Sequence, residues 1–165
     1  LRTDDPEDLV AHHENSLVDL ADACRRTGHE FLLEIINGRA GQPADPNQIH
    51  ALMARMYDLG VMPDWWKLEP IADAAFWARA GDIVRAHDPH LQGIIVLGKE
   101  RPDEQLVKVL GMARREPLVR GFAIGRTIFN EAARQWFAGD IDDAVATDMM
   151  SAVYRRLIAA WDAAG

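Results

Sequence analysis

Four short apolar segments, Phe31–Ile36, Trp65–Glu69, Gly93–Leu97 and Gly121–Ile124, are spaced along a chain of 165 residues, with helical periodicity between them. One strand plus one helix per about thirty residues is the length that a parallel βαβ crossover needs. The apolar runs lack clean in-and-out alternation, as expected of a sheet covered by helices on at least one face. Residues 7–27 carry Leu9, Val10, Leu17, Leu20, Ala21 and Cys24 close to a 3.6-residue period. Asp5-Pro6-Glu7-Asp8 reads as their start, with Asp5 as N-cap and proline in the first turn, and Arg25-Arg26-Thr27-Gly28 as their stop. Asp45-Pro46 opens a second helix that runs to Gly60, and further helices are expected over 71–86, 102–115, 129–138 and 141–163.

Alternating strands and helices leave two architectures, a doubly wound open sheet and a (β/α)8 barrel. No G-x-G-x-x-G follows the first strand and no phosphate-loop lysine motif occurs, so neither nucleotide fingerprint supports the open sheet. Four βα units are half of an eight-unit barrel. The chain opens on Leu1 and a turn-like Thr3-Asp4-Asp5-Pro6, so residues 1–165 are expected to be a single domain or fragment, βα units five to eight of a TIM barrel.

Charge narrows the partners. A net charge of −8 and a pI of about 5.1 argue against an electrostatic grip on nucleic acid or anionic lipid. An anionic ligand must then be held by a local cluster of donors. No apolar run approaches the roughly 20 residues of a membrane span, and no signal peptide is recognisable. A single cysteine, Cys24, precludes an internal disulfide framework and reads as a small apolar residue. A cytoplasmic enzyme or binding protein is the expectation.

Within that frame one residue stands out. Only three lysines occur against fifteen arginines, and Lys67 lies inside Asp64-Trp65-Trp66-Lys67-Leu68-Glu69-Pro70. Strand alternation puts Trp65, Lys67 and Glu69 on one side and Trp66 and Leu68 on the other. An ammonium on an inner face is costly to desolvate, so it needs a partner or a lowered pKa. Such a lysine can be a nucleophile that forms Schiff bases with carbonyl substrates. The structural alternative is a rim lysine, reaching solvent or pairing with Glu69.

Active sites of barrels are built at the C-terminal strand ends, and the polar residues there form a coherent set. The first strand supplies Glu34, the second Lys67 and Glu69, the third Gly98-Lys99, and the fourth Gly125-Arg126-Thr127. Glu34 is either an acid/base or a structural partner of a buried amine. Glu69, before Pro70, suits a salt bridge or a helix start as well as catalysis. Gly98 and Gly125-Arg126 fit a phosphate site of backbone N–H groups and a cation. Lys99 could contribute to that site, but Lys99-Glu100-Arg101-Pro102-Asp103-Glu104 reads rather as a solvated helix start. His87 and His90 fall in a loop at the opposite end, His12 and His13 point apart on a helix, and no zinc spacing exists, so no metal ligand is assigned. Most of the five tryptophans read as packing residues.

Asp64-Trp65-Trp66-Lys67-Leu68-Glu69-Pro70 and Gly121-Phe122-Ala123-Ile124-Gly125-Arg126-Thr127-Ile128-Phe129 together resemble the C-terminal half of the aldolase domain fused behind bacterial 5-dehydro-2-deoxygluconokinase. That domain belongs to inositol catabolism and is similar to class I tagatose-bisphosphate aldolases. The resemblance runs along nearly the whole chain. It implies a TIM barrel and cleavage of 2-deoxy-5-keto-gluconate 6-phosphate to dihydroxyacetone phosphate and malonate semialdehyde, without a cofactor. It makes Lys67 the Schiff-base lysine, Glu34 the proton-transfer group, and Gly125 with Arg126 the phosphate site. It also implies that groups carried by the first four strands, a second lysine among them, lie outside this sequence.

Two other classes fit the same residues. One is a non-catalytic phosphosugar-binding domain that regulates a fused or partner sugar kinase. The other is a metal-assisted aldolase or isomerase with Glu34 and Glu69 as ligands. A half-barrel exposes two sheet edges, so either a homo-oligomer or the missing N-terminal half is expected as partner.

Overall fold

A computed structural model describes residues 5–38, 43–99 and 101–165. The order of elements is α1 (Glu7–Thr27), β1 (Leu32–Ile35), α2 (Pro46–Asp58), β2 (Trp65–Leu68), α3 (Ala74–His87), β3 (Gly93–Leu97), α4 (Asp103–Ala113), β4 (Val119–Ala123), α5 (Arg126–Ala138) and α6 (Asp143–Asp162). Helices alternate with strands as the sequence predicts. Of the opening turn, Thr3 and Asp4 lie outside the described residues, as does Glu100 of the expected solvated helix start.

Local chemistry accounts for most boundaries. Asp45 caps α2 by accepting from Asn47 N at 2.9 Å, with Pro46 in the first turn. Asp73 and Asp142 cap α3 and α6 in the same way, which moves their starts to Ala74 and Asp143. Helix α1 departs from expectation: Pro6, not Asp5, holds the N-cap position, and no side chain caps the helix. At its far end Gly28 turns left-handed, φ 70°, as the arginine–glycine stop predicts.

All four strands are parallel and lie in the order β1-β2-β3-β4. Right-handed crossovers that always step the same way place the connecting helices α2, α3 and α4 on one face. The burial pattern of β1 and β2 agrees: Leu33, Ile35, Trp66 and Leu68 face the helices and are buried, whereas Leu32, Glu34, Trp65 and Lys67 on the other face are at least partly exposed. In β3 only Ile95 is partly exposed, and Gly93 and Leu97 on its side are buried with Ile94 and Val96. Such a sheet has one packed face and one open face, and no reversal of strand order.

The core sits between the packed face and helices α2, α3 and α4, around the fully buried Trp66, Trp77 and Phe76. Helix α1 contributes Leu17, Ala21 and Cys24, which are only partly buried. Trp66 Nε1–H donates to Tyr57 Oη at 2.7 Å. Burial pushes the Tyr57 phenol up to about 12, against a smaller opposing effect of that hydrogen bond. The unfolded chain ionises first, so stability falls as pH rises from about 10 towards 12. Alkaline unfolding followed by urea should show a loss of roughly 2–3 kcal/mol across that window, and a flat stability there would contradict the burial of this phenol.

Candidate active site

The parallel register sets Glu34 of β1 directly beside Lys67 of β2. Both side chains stand on the open face, and Lys67 Nζ lies 3.1 Å from Glu34 Oε1. They are 23% and 36% exposed, so the pair is shielded yet reachable. The partner that the buried-amine argument requires is therefore Glu34, not Glu69.

Alternation stops with the strand at Leu68. Ile71 N donates to Glu69 O at 2.9 Å, turning the chain just past β2. Glu69 is fully buried. Its Oε2 accepts from the backbone N–H groups of Asn37, at 3.2 Å, and Gly38, at 3.1 Å. Its Oε1 is ion-paired with Lys99, which also donates to Gly38 O at 3.0 Å. One expectation is corrected here: Lys99 is a structural partner of a buried carboxylate rather than a solvated residue, and that carboxylate, Glu69, pairs with Lys99 and not with Lys67. Glu34 and Glu69, considered together as metal ligands, serve different lysines. Among the described residues no group of three or more His, Cys, Asp or Glu is placed to hold a metal ion.

The remaining predicted residues converge. A cleft of about 210 Å³ at the C-terminal strand ends is lined by Glu34, Lys67, Gly98, Lys99, Gly125 and Arg126, with Thr127 and Phe129 beside them. Gly98 is a packing glycine, since a Cβ there would come within 2.9 Å of Ile124 Cγ2. Gly125 is the N-cap of α5 and Arg126 its first residue. The helix starts three residues earlier than the sequence suggests, so what reads as a glycine–arginine loop is a helix N-terminus. No side chain caps it, and first-turn N–H groups with the positive end of the dipole suit an anion. Thr127 Oγ1 donates to Arg101 O at 2.9 Å, which ties α5 to the segment after β3.

A larger hollow of about 340 Å³ lies at the other end of the sheet, beside Gly28, Phe31 and Gly60. Its carboxylates are already engaged: Asp64 accepts from Phe31 N, and Glu30 from Trp65 Nε1 and Gln92 Nε2. His87 at that end is structural as well, stacking on Tyr57 and bonding Ile83 O, and Asp88 accepts from the backbone N–H of His90.

This chain belongs to the bacterial DUF2090 family. The family model, described as an uncharacterized protein conserved in bacteria, matches residues 1–165. No curated protein matches the chain. What this DUF2090 chain offers chemically is an amine, a carboxylate within a hydrogen bond of it, and a helix N-terminus with an arginine, all in one cleft. Asn37 went unnoticed in the sequence. It is buried, its Nδ2 donates to Gln48 Oε1 and its Oδ1 accepts from Asp45 N, both at 2.9 Å. A polar residue directly after an apolar strand was the available signal.

Proposed function

We propose that this chain is a class I aldolase acting on a phosphorylated keto sugar acid, and that its four βα units are the C-terminal half of a (β/α)8 barrel. The observation that carries the reading is the Lys67–Glu34 pair, 3.1 Å apart on an open sheet face and in one cleft with Gly125 and Arg126. Glu34 takes a proton from the ammonium, and the freed amine adds to the substrate ketone. Glu34 gives that proton to the departing hydroxyl, so that loss of one water leaves a protonated imine. Glu34 then takes the proton of the substrate hydroxyl as the carbon–carbon bond breaks, the imine receives the electron pair, and an aldehyde leaves. That proton passes from Glu34 to the carbon of the resulting enamine, and water hydrolyses the imine to free the amine. Arg126 and the N–H groups of α5 hold the phosphate.

The single winding of the sheet and its open face support the barrel half, because parallel sheets are ordinarily covered on both faces. Further strands would come from additional chain or from a second subunit. The resemblance suggests 2-deoxy-5-keto-gluconate 6-phosphate as substrate, cytoplasmic inositol catabolism as setting, and a fused or partner sugar kinase as neighbour. No helix among the described residues is long and apolar enough to cross a membrane.

Borohydride trapping with dihydroxyacetone phosphate, read by intact mass and peptide mapping, tests this reading. A reduced adduct on Lys67 is expected, in this chain or in one that supplies the other strands. Binding of the phosphosugar with no adduct in either would leave a non-catalytic binding domain as the better account. Arg126→Ala should weaken dihydroxyacetone phosphate binding by roughly ten- to a hundred-fold, the worth of one charge-assisted hydrogen bond. Unchanged affinity by calorimetry would remove Arg126 from the site.

A further inference from the structure

We infer that Lys99 is a positioning residue, clamping the end of β1 so that Glu34 stays against Lys67. The inference rests on the reading of Lys67 and Glu34 as the reacting pair. Strand β1 is a sheet edge of four residues, hydrogen-bonded to β2 alone. On the open face its neighbours Leu32 and Ile36 are 43% and 50% exposed, so side-chain packing does little to hold it there. What holds its end is polar. Asn37 and Gly38, three and four residues beyond Glu34, give their N–H groups to Glu69, and Lys99 bridges the Glu69 carboxylate and Gly38 O. Three strand ends are thereby tied at one point, beside the cleft that Lys99 also lines.

Two features show that the geometry is constrained at a cost. Lys99 has φ 50°, and it is the only non-glycine residue with positive φ among the described residues. That conformation is strained for an L side chain and persists only where the surroundings enforce it. Gly38 sits so close that a Cβ on it would lie 2.5 Å from Lys99 Nζ and 2.9 Å from Ala44 N. The Glu69 carboxylate is fully buried and needs a cation, yet the three lysines of this chain include one placed where it also touches the β1 loop. A cation serving only to neutralise Glu69 would not require that second contact or the strained backbone.

The test compares wild type with Lys99→Arg, Lys99→Met and the double variant Glu69→Leu/Lys99→Met. Two quantities are read: amide hydrogen exchange at Asn37 and Gly38, and borohydride trapping on Lys67 as a function of dihydroxyacetone phosphate concentration. Lys99→Met is expected to lose protection at both amides. Its limiting trapping rate should fall roughly ten- to a hundred-fold, as displacement of a reacting group by about an ångström does, with the half-saturating concentration unchanged. Lys99→Arg should recover most of both. Intact protection, or lost protection with an unchanged limiting rate, would overturn the inference. If Lys99→Met does not fold, the double variant, which leaves no buried charge uncompensated, should fold and show both losses; wild-type trapping by it would equally overturn the clamp. Absence of any adduct in the wild type would instead defeat the Lys67 reading, and amide exchange would then decide the clamp alone.

Discussion

Lys67→Ala is expected to abolish the reduced adduct while leaving the fold intact. The ammonium contributes little to stability, because its partner Glu34 is more than a third exposed and the pair stands on the open face. Partly solvated pairs of this kind are worth about 0–1 kcal/mol, and the carboxylate left behind remains in reach of water. The melting temperature should shift by no more than about 4 °C. The chemistry has no such reserve. An imine needs an amine, and removing the nucleophile of a covalent mechanism costs roughly three or more orders of magnitude. Peptide mapping matters because Lys99 lines the same cleft. An adduct of wild-type yield in Lys67→Ala, or one mapped to Lys99 in the wild type, would sink the assignment.

The strand–helix alternation was legible because each unit carries its own punctuation. Asp45-Pro46 and Arg25-Arg26-Thr27-Gly28 act locally, and the structure places α2 and the end of α1 where those residues put them. β4 was less legible, beginning at Val119 rather than Gly121. The reason is a turn that sequence does not announce. Leu118 N donates to the buried Glu116 carboxylate and Val119 N to Glu116 O, which brings Val119 into the ladder two residues early. Face assignment succeeded for Trp65 to Leu68, whereas Glu69 lies just past the end of the strand, where period-two alternation no longer applies.

Lys99 shows a different limit. The scarcity of lysine that singled out Lys67 applies equally to Lys99, but its neighbours Glu100 and Arg101 made it look like one more charge at a helix start. Its role depends on Glu69 and Gly38, thirty and sixty-one residues away. No local pattern carries that information. Glu34 was legible by contrast because an acid among aliphatics is conspicuous, and the parallel register then supplies its partner.

Trp66→Ala should do the opposite of Lys67→Ala. The two residues are adjacent in sequence and face opposite sides of β2. Trp66 is fully buried, packs edge-on against Tyr57 with ring centroids 5.7 Å apart, and gives that phenol its hydrogen bond. Truncation leaves a cavity between β2 and α2 and removes the indole donor from a buried hydroxyl. Large-to-small changes of this size cost about 3–5 kcal/mol, which for a chain of this length lowers the melting temperature by roughly 6–20 °C. At temperatures where both proteins are folded, the Lys67 adduct should form at the wild-type rate, because the indole never reaches the open face. A small stability loss would mean that the core relaxes around the missing ring. A lost adduct in a folded Trp66→Ala protein would mean that the two faces of β2 are mechanically coupled, and that the open-face pair owes its alignment to the packing beneath it.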